Sequence, residues 1–110
     1  MIGFRASLAA VIVALATVMA SHAIAGPSMS MAWVEISDQD QCVKQASSAL
    51  KSNGFTTRFE VISNRSIYGE KGDYTAAIRC VSDKSVAFVA VAGPKSDLTG
   101  KYTDALKEGF

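Results

Sequence analysis

Between residues 72 and 94 the chain reads GDYTAAIRCVSDKSVAFVAVAGP, two apolar runs around a polar turn. In residues 74–81 (YTAAIRCV), Thr75 and Arg79 fall four positions apart, on the same face of a period of two, and that alternation predicts a half-buried strand. Residues 86–92 (VAFVAVA) are apolar at every position and predict a strand that Gly93-Pro94 ends. Upstream, residues 56–62 (TTRFEVI) alternate with Phe59 and Val61 on one face, and residues 66–70 (SIYGE) form a short strand. SNRS and EKGD supply the turns between these runs, Gly72 sitting where a positive φ is expected. Residues 31–36 (MAWVEI) predict a first strand, after a flexible start over residues 26–30.

Two stretches carry the helical period instead. Cys42, Val43, Ala46, Ala49 and Leu50 recur at helical spacing. Ser37 is a suitable N-cap, and Asp38 and Asp40 suit the positive end of a helix. Asn53-Gly54 ends it, with Phe55 placed to fold back onto Leu50. A final helix, capped by Ser96, carries an inner stripe of Leu98, Tyr102, Ala105 and Leu106, with Phe110 one turn on. Gly100 costs it about 1 kcal/mol relative to alanine, so fraying is expected. The order β-α-β-β-β-β-α predicts an α+β domain: a mostly antiparallel meander sheet with two helices packed on one face.

This order places the two cysteines. If the first strand ends at the top of the sheet, the first helix begins there, and Cys42 with it. The chain then descends, rises, descends and rises again, so Cys80 also arrives at the top. Arg79 and Thr75 want water, which turns Tyr74, Ala76, Ile78 and Cys80 toward the helices. Each thiol then faces the other's layer, as a disulfide requires. The inference depends on a turn at SNRS. Were residues 55–70 one strand, Cys80 would lie at the opposite end, roughly 20 Å from Cys42. A structural Cys42–Cys80 disulfide is the preferred reading. A buried pair of free thiols and a redox-active pair are the alternatives; for the last there is no C-x-x-C, no histidine and no cationic cluster.

The N-terminus changes the composition. Arg5 precedes an apolar run over residues 8–20 of about 13 residues, and Ala23 and Ala25 stand in an A-x-A arrangement. This is the layout of a cleaved secretory signal over residues 1–25, too short for the roughly 20 residues a membrane span needs. No cysteine follows the run, so a lipid anchor is not supported. The mature chain, residues 26–110, would be one small domain. Losing Arg5 takes Lys and Arg from 11 to 10, equal to the 10 Asp and Glu, and the net charge becomes zero. Without a basic field, neither nucleic acid nor an anionic membrane is an expected partner. The single histidine, His22, lies in the signal. Its loss excludes Ser-His-Asp and Cys-His catalysis and histidine metal sites from the mature chain. No catalytic residues, metal ligands or cofactor are expected. Export leads to an oxidising compartment, periplasmic or secreted, where a disulfide persists.

Other motifs have structural explanations. Asp38-Gln39-Asp40 opens like a calcium loop, but Cys42 stands at the third ligand position, so capping is preferred. AGPKS, residues 92–96, lacks the first glycine of a phosphate loop, Phe88 being there. Asn64-Arg65-Ser66 matches a glycosylation sequon by composition but reads as a turn. Glu60, Glu70, Asp73 and Asp83 are dispersed, so no acid–base pair is expected. Trp33, Phe55, Phe59 and Phe88 are expected in the core.

The all-apolar last strand needs its own account. Val86, Phe88, Ala90 and Ala92 form one face, and Ala87, Val89 and Val91 the other. Two helices cover only one side of a sheet. The expected open side carries Ala77, Val81, Ala87, Val89 and Val91, with Ile62 nearby, and is a candidate interface for a protein partner or a homodimer. Scattered small side chains, or cover by the segment GPSMSM, would account for it otherwise. A thiol–disulfide redox protein using Cys42 and Cys80 is the competing functional reading.

The pattern Trp33…Cys42…Ala46…Leu50…Gly54-Phe55…Ser66-Ile67-Tyr68-Gly69…Gly72-Asp73-Tyr74…Ile78-Arg79-Cys80…Phe88-Val89…Ala92-Gly93-Pro94 resembles a group of small exported bacterial proteins without an assigned activity. The resemblance spans almost the whole mature chain, and GDYTAAIRC and VAGP are its most specific parts. It implies a bacterial, periplasmic protein and brings no catalytic or binding residues.

Overall fold

The computed structural model describes residues 27–110; the expected secretory signal over residues 1–25 lies outside the described residues. Strand β1 (Ser28–Glu35) is followed by helix α1 (Gln39–Ser52), strands β2 (Thr57–Ile62), β3 (Ser66–Lys71), β4 (Tyr74–Val81) and β5 (Val86–Gly93), and helix α2 (Ser96–Lys107). The five strands form one antiparallel sheet in the order β1-β5-β4-β3-β2. Strands β2 to β5 are the expected meander, and β1 closes onto β5. Helix α1 packs against β3 and β4, and α2 against β1 and β5, in the α+β arrangement read from the sequence.

Local chemistry explains the boundaries. Helix α1 is capped by Asp38 rather than Ser37: its carboxylate accepts from the Gln41 N–H at 2.8 Å. At the other end Gly54 takes φ 84°. The Gly54 N–H then donates to Lys51 O and the Phe55 N–H to Leu50 O, the paired bonds of a Schellman ending. This ending drops Phe55 into the core beside Leu50, both fully buried. The SNRS turn exists: Ser63 and Asn64 hold φ of 53° and 52°, and the Arg65 N–H closes onto Ile62 O at 3.0 Å. Two positive φ values match the twist of a hairpin, and asparagine tolerates one well. Gly72, φ 57°, serves the next turn.

Three local expectations are corrected. Ser96 is the first residue of α2, not its cap, and α2 runs unbroken through Gly100 because Leu106, Thr99 and Thr103 anchor it by burial. Within the segment GPSMSM, Ser28 to Met31 neither stay flexible nor cover the sheet, since they belong to β1 itself. The third correction concerns β5. Antiparallel partners share a face, and the register pairs Cys80 with Ala87, Ile78 with Val89 and Ala76 with Val91. Because the β4 residues face the helices, Ala87, Val89 and Val91 do too, and all three are fully buried. They are core, not open surface. Phe88, expected inside, is on the open side with Trp33.

The core lies between sheet and helices: Phe55, Leu50, Ile67, Ile78, Leu106, Val89 and Val91 are its largest fully buried apolar side chains. Each contributes about 1.5–3 kcal/mol by leaving water. The Tyr102 ring meets Phe55 and Tyr74 edge-on, with centroids 5.4 and 5.2 Å apart, tying α2 to the α1 ending and to β4.

Gly69 is where the Phe55 backbone lies directly against β3. A Cβ there would overlap the Phe55 carbonyl, which the Schellman ending holds in place. Gly69→Ala is expected to lose about 1–3 kcal/mol, read as a lower urea midpoint with unchanged slope. An unchanged midpoint would show that this close approach is not rigid.

Candidate functional site

The cysteines meet as the strand directions require. Cys42, in the first turn of α1, is bonded to Cys80, near the end of β4, with Cα atoms 6.1 Å apart. Both are 1% exposed. The bridge closes a loop spanning α1, β2, β3 and β4, and fixes the start of α1 to the centre of the sheet.

A polar clasp that sequence reasoning missed lies beside it. Gln39 Nε2 donates to Asn64 O at 2.7 Å and to Cys80 O at 3.1 Å, while its Oε1 accepts from the Ser82 N–H at 3.1 Å. Asn64 Nδ2 donates to Asp40 Oδ1 at 2.8 Å. These bonds join the first turn of α1 to the β2–β3 turn and the end of β4. Asp38 and Asp40 are thereby engaged in capping and clasping. No periodicity marks Gln39, since its partners are backbone groups far off in sequence. A groove of about 510 Å³ opens over this clasp, with Arg65, Arg79 and Asp83 on its walls. No buried side-chain nitrogen or oxygen among the described residues lacks a partner, so the groove has no unanswered polar group aimed into it.

The open face of the sheet has a different character. On β1 the small residues Ser28, Ser30, Ala32 and Val34 face α2, and Met29, Met31 and Trp33 face out, 66%, 66% and 60% exposed. Across the ladder Met29 stands beside Ala92, Met31 beside Ala90 and Trp33 beside Phe88. Phe88 is 45% exposed. The next rung places Ala77 beside Ala90 and Arg79 beside Phe88, and Tyr68 lies beyond Ala77 on β3. The result is a ridge of large side chains along β1 and Phe88, beside a floor of Ala77, Ala90 and Ala92. Of the expected interface residues, Ala77 and Val81 are on this face, half-buried, and Ile62 is exposed on its far strand. Ala87, Val89 and Val91 are beneath it.

Sequence patterning could have found the ridge. The SDKS loop leaves four residues between Val81 and Val86, and pairing those two sets Ala87 opposite Cys80. Loop length, not hydrophobicity, carried the parity of β5. For β1, alternating MSMAW marks a two-faced strand but cannot say which face is covered.

The polar side of β1 is held by hydroxyls. Ser28 Oγ donates to Gly93 O at 3.0 Å and lies 3.3 Å from Thr99 Oγ1, and Thr103, fully buried, donates to Thr99 O at 2.7 Å. Serine and threonine thus occupy the covered side while methionine and tryptophan take the wet one. No family model matches the chain, and no curated protein sequence matches it.

The bridge closes a loop of 38 residues' separation, which in the chain-entropy picture is worth about 4 kcal/mol. Cys42→Ala with Cys80→Ala is expected to lose about 2–4 kcal/mol by urea denaturation. In the native protein neither cysteine should take an alkylating reagent after millimolar thiol treatment. Rapid labelling of Cys42 while folded would contradict the closed bridge.

Proposed function

We propose that this chain is an exported, non-enzymatic binding domain whose open sheet face is covered by another protein surface. The observation that carries the reading is the orientation of β1. A strand displaced by one position turns all its side chains to the other side. Here the stable register turns Ser28 and Ser30, half-buried, toward α2 and exposes Met29, Met31 and Trp33. Large apolar side chains contiguous across neighbouring strands mark an interaction surface more often than isolated ones do.

The Cys42–Cys80 bridge is the domain's staple. A small domain buries a limited fraction of its surface, so one disulfide is a large share of its stability. A disulfide also suits the oxidising compartment implied by the N-terminal apolar run. The competing reading, a thiol–disulfide redox protein, gains no support from cysteines that are each 1% exposed. Binding through the open face requires no titrating side chain, in keeping with a mature chain without histidine.

A photo-crosslinking side chain placed at Phe88, at Met31, or at the exposed Lys44 of α1 tests this in cells. Adducts are expected from Phe88 and Met31, and none from Lys44. Adducts from Lys44 alone, or from none of the three, would overturn the reading. Intact mass of the exported form should correspond to a chain beginning at Gly26.

A further inference from the structure

We propose that the surface covering the open face is the same face of a second copy, giving a two-fold dimer of stacked sheets. The inference rests on the open face being a binding surface. It adds the identity of the partner and its register.

Size is the first support. Strands β1, β5 and β4, which a two-fold axis over β5 brings into overlap, are about 4.8 Å apart and eight residues long, a face of roughly 350–400 Å² in projection. Projecting side chains raise its accessible area toward the low end of specific interfaces, about 600 Å² per partner, the size of a reversible dimer. Pairing the free edges of two β1 strands instead would leave Trp33 and Phe88 wet.

Shape is the second. Strand β5 has β1 on one side and β4 on the other. A two-fold axis parallel to the strands and passing over β5 therefore sets β1 of each copy above β4 of its partner. Height along the strands is preserved by that rotation. Met31, level with Ala90 and Ala77, then lies over the partner's Ala77. The ridge of one copy fills the alanine floor of the other, and Phe88 meets the partner's Phe88 near the axis. Sheets stacked in this way sit about 10 Å apart, which suits large side chains opposed to small ones.

Charge is the third. Arg79 is the cation near the centre of the face, and among the described residues it makes no ion pair, only a long 3.5 Å contact to Ser66 Oγ. Trp33 and Arg79 are level with Phe88 on opposite sides of it. The same rotation lays each Trp33 ring over the partner's Arg79, where the indole face attracts a guanidinium. The charge nearest the middle of the overlap thus gains a partner, while Glu35, level with Val86 at the end of β1, stays at the rim in water. With equal numbers of acidic and basic side chains over residues 27–110, there is no net repulsion between copies.

Trp33 is the only tryptophan in the chain and reports directly on the contact. The exported protein is examined by sedimentation equilibrium from 1 to 500 µM, with acrylamide quenching of Trp33 across the same range. The expected result is a dimer whose formation lowers the quenching constant several-fold. Ala90→Arg, near the axis, should leave a folded monomer, and Arg79→Ala should weaken dimerisation about tenfold with Trp33 again quenchable. Arg79→Ala keeps the test decisive if Ala90→Arg fails to fold, because Arg79 is exposed in the single copy. A monomer at 500 µM with fully quenchable Trp33 would overturn the second copy as partner, while crosslinks from Phe88 to a different protein would still support the binding face. A dimer indifferent to both variants would show that another surface is used and overturn the proposal equally.

Discussion

The register between β4, β5 and β1 is the constraint on which the rest of the molecule depends. Cys80 stands opposite Ala87, and Ala87 opposite Val34. This row of cross-strand partners decides which half of each strand meets the helices. It buries Ala76, Ile78, Cys80, Ala87, Val89 and Val91 together as one floor under α1 and α2. It also commits Met29, Met31, Trp33 and Phe88 to the other side, since pleated strands offer no third option. Core and ridge are thus two consequences of one alignment, and neither could be altered alone by sliding a strand.

Two attachments hold the helices over that floor. At the top, the Cys42–Cys80 bridge and the Gln39 clasp fix the start of α1 to β4 and to the β2–β3 turn. At the bottom, the Schellman ending at Gly54 returns the chain beneath α1 and delivers Phe55 against Gly69. Tyr102 then connects Phe55 with Tyr74, so α2 is linked to both. The hydroxyls of Thr99 and Thr103 satisfy themselves against α2 carbonyls and the serines of β1, which lets both threonines be buried against that strand without an orphaned group.

Much of this was legible in the residues. Alternation in residues 74–81, helical spacing from Cys42 to Leu50, and turn chemistry at SNRS and EKGD define the elements in their true order. Strand direction alone brings Cys42 and Cys80 to the same end. The facing of β5 was not legible from its own residues, because a run of valine and alanine has no polar member to mark a wet side. Its partners decided it through the four-residue loop. Trp33 and Phe88 misled for a related reason. Large aromatics are ordinarily core, and hydrophobicity alone cannot separate a residue buried in its own domain from one kept for another surface. The helix starts shifted by one residue from those expected: Asp38 takes the cap because its carboxylate accepts as well as the neighbouring Ser37 hydroxyl would, whereas α2 begins after Lys95, which makes no side-chain capping bond.

The account turns on whether the open face is covered where the protein works. Over residues 27–110 the only methionines are Met29 and Met31, and both lie on that face. Mild peroxide footprinting, applied to cells containing the exported protein and to the purified protein at nanomolar dilution, compares the two states directly by peptide mass. The account predicts that Met29 and Met31 oxidise several-fold more slowly in the native compartment than in dilute solution. Equal oxidation in both would mean that the ridge faces water in the cell, and would contradict the assignment of this face as a binding surface.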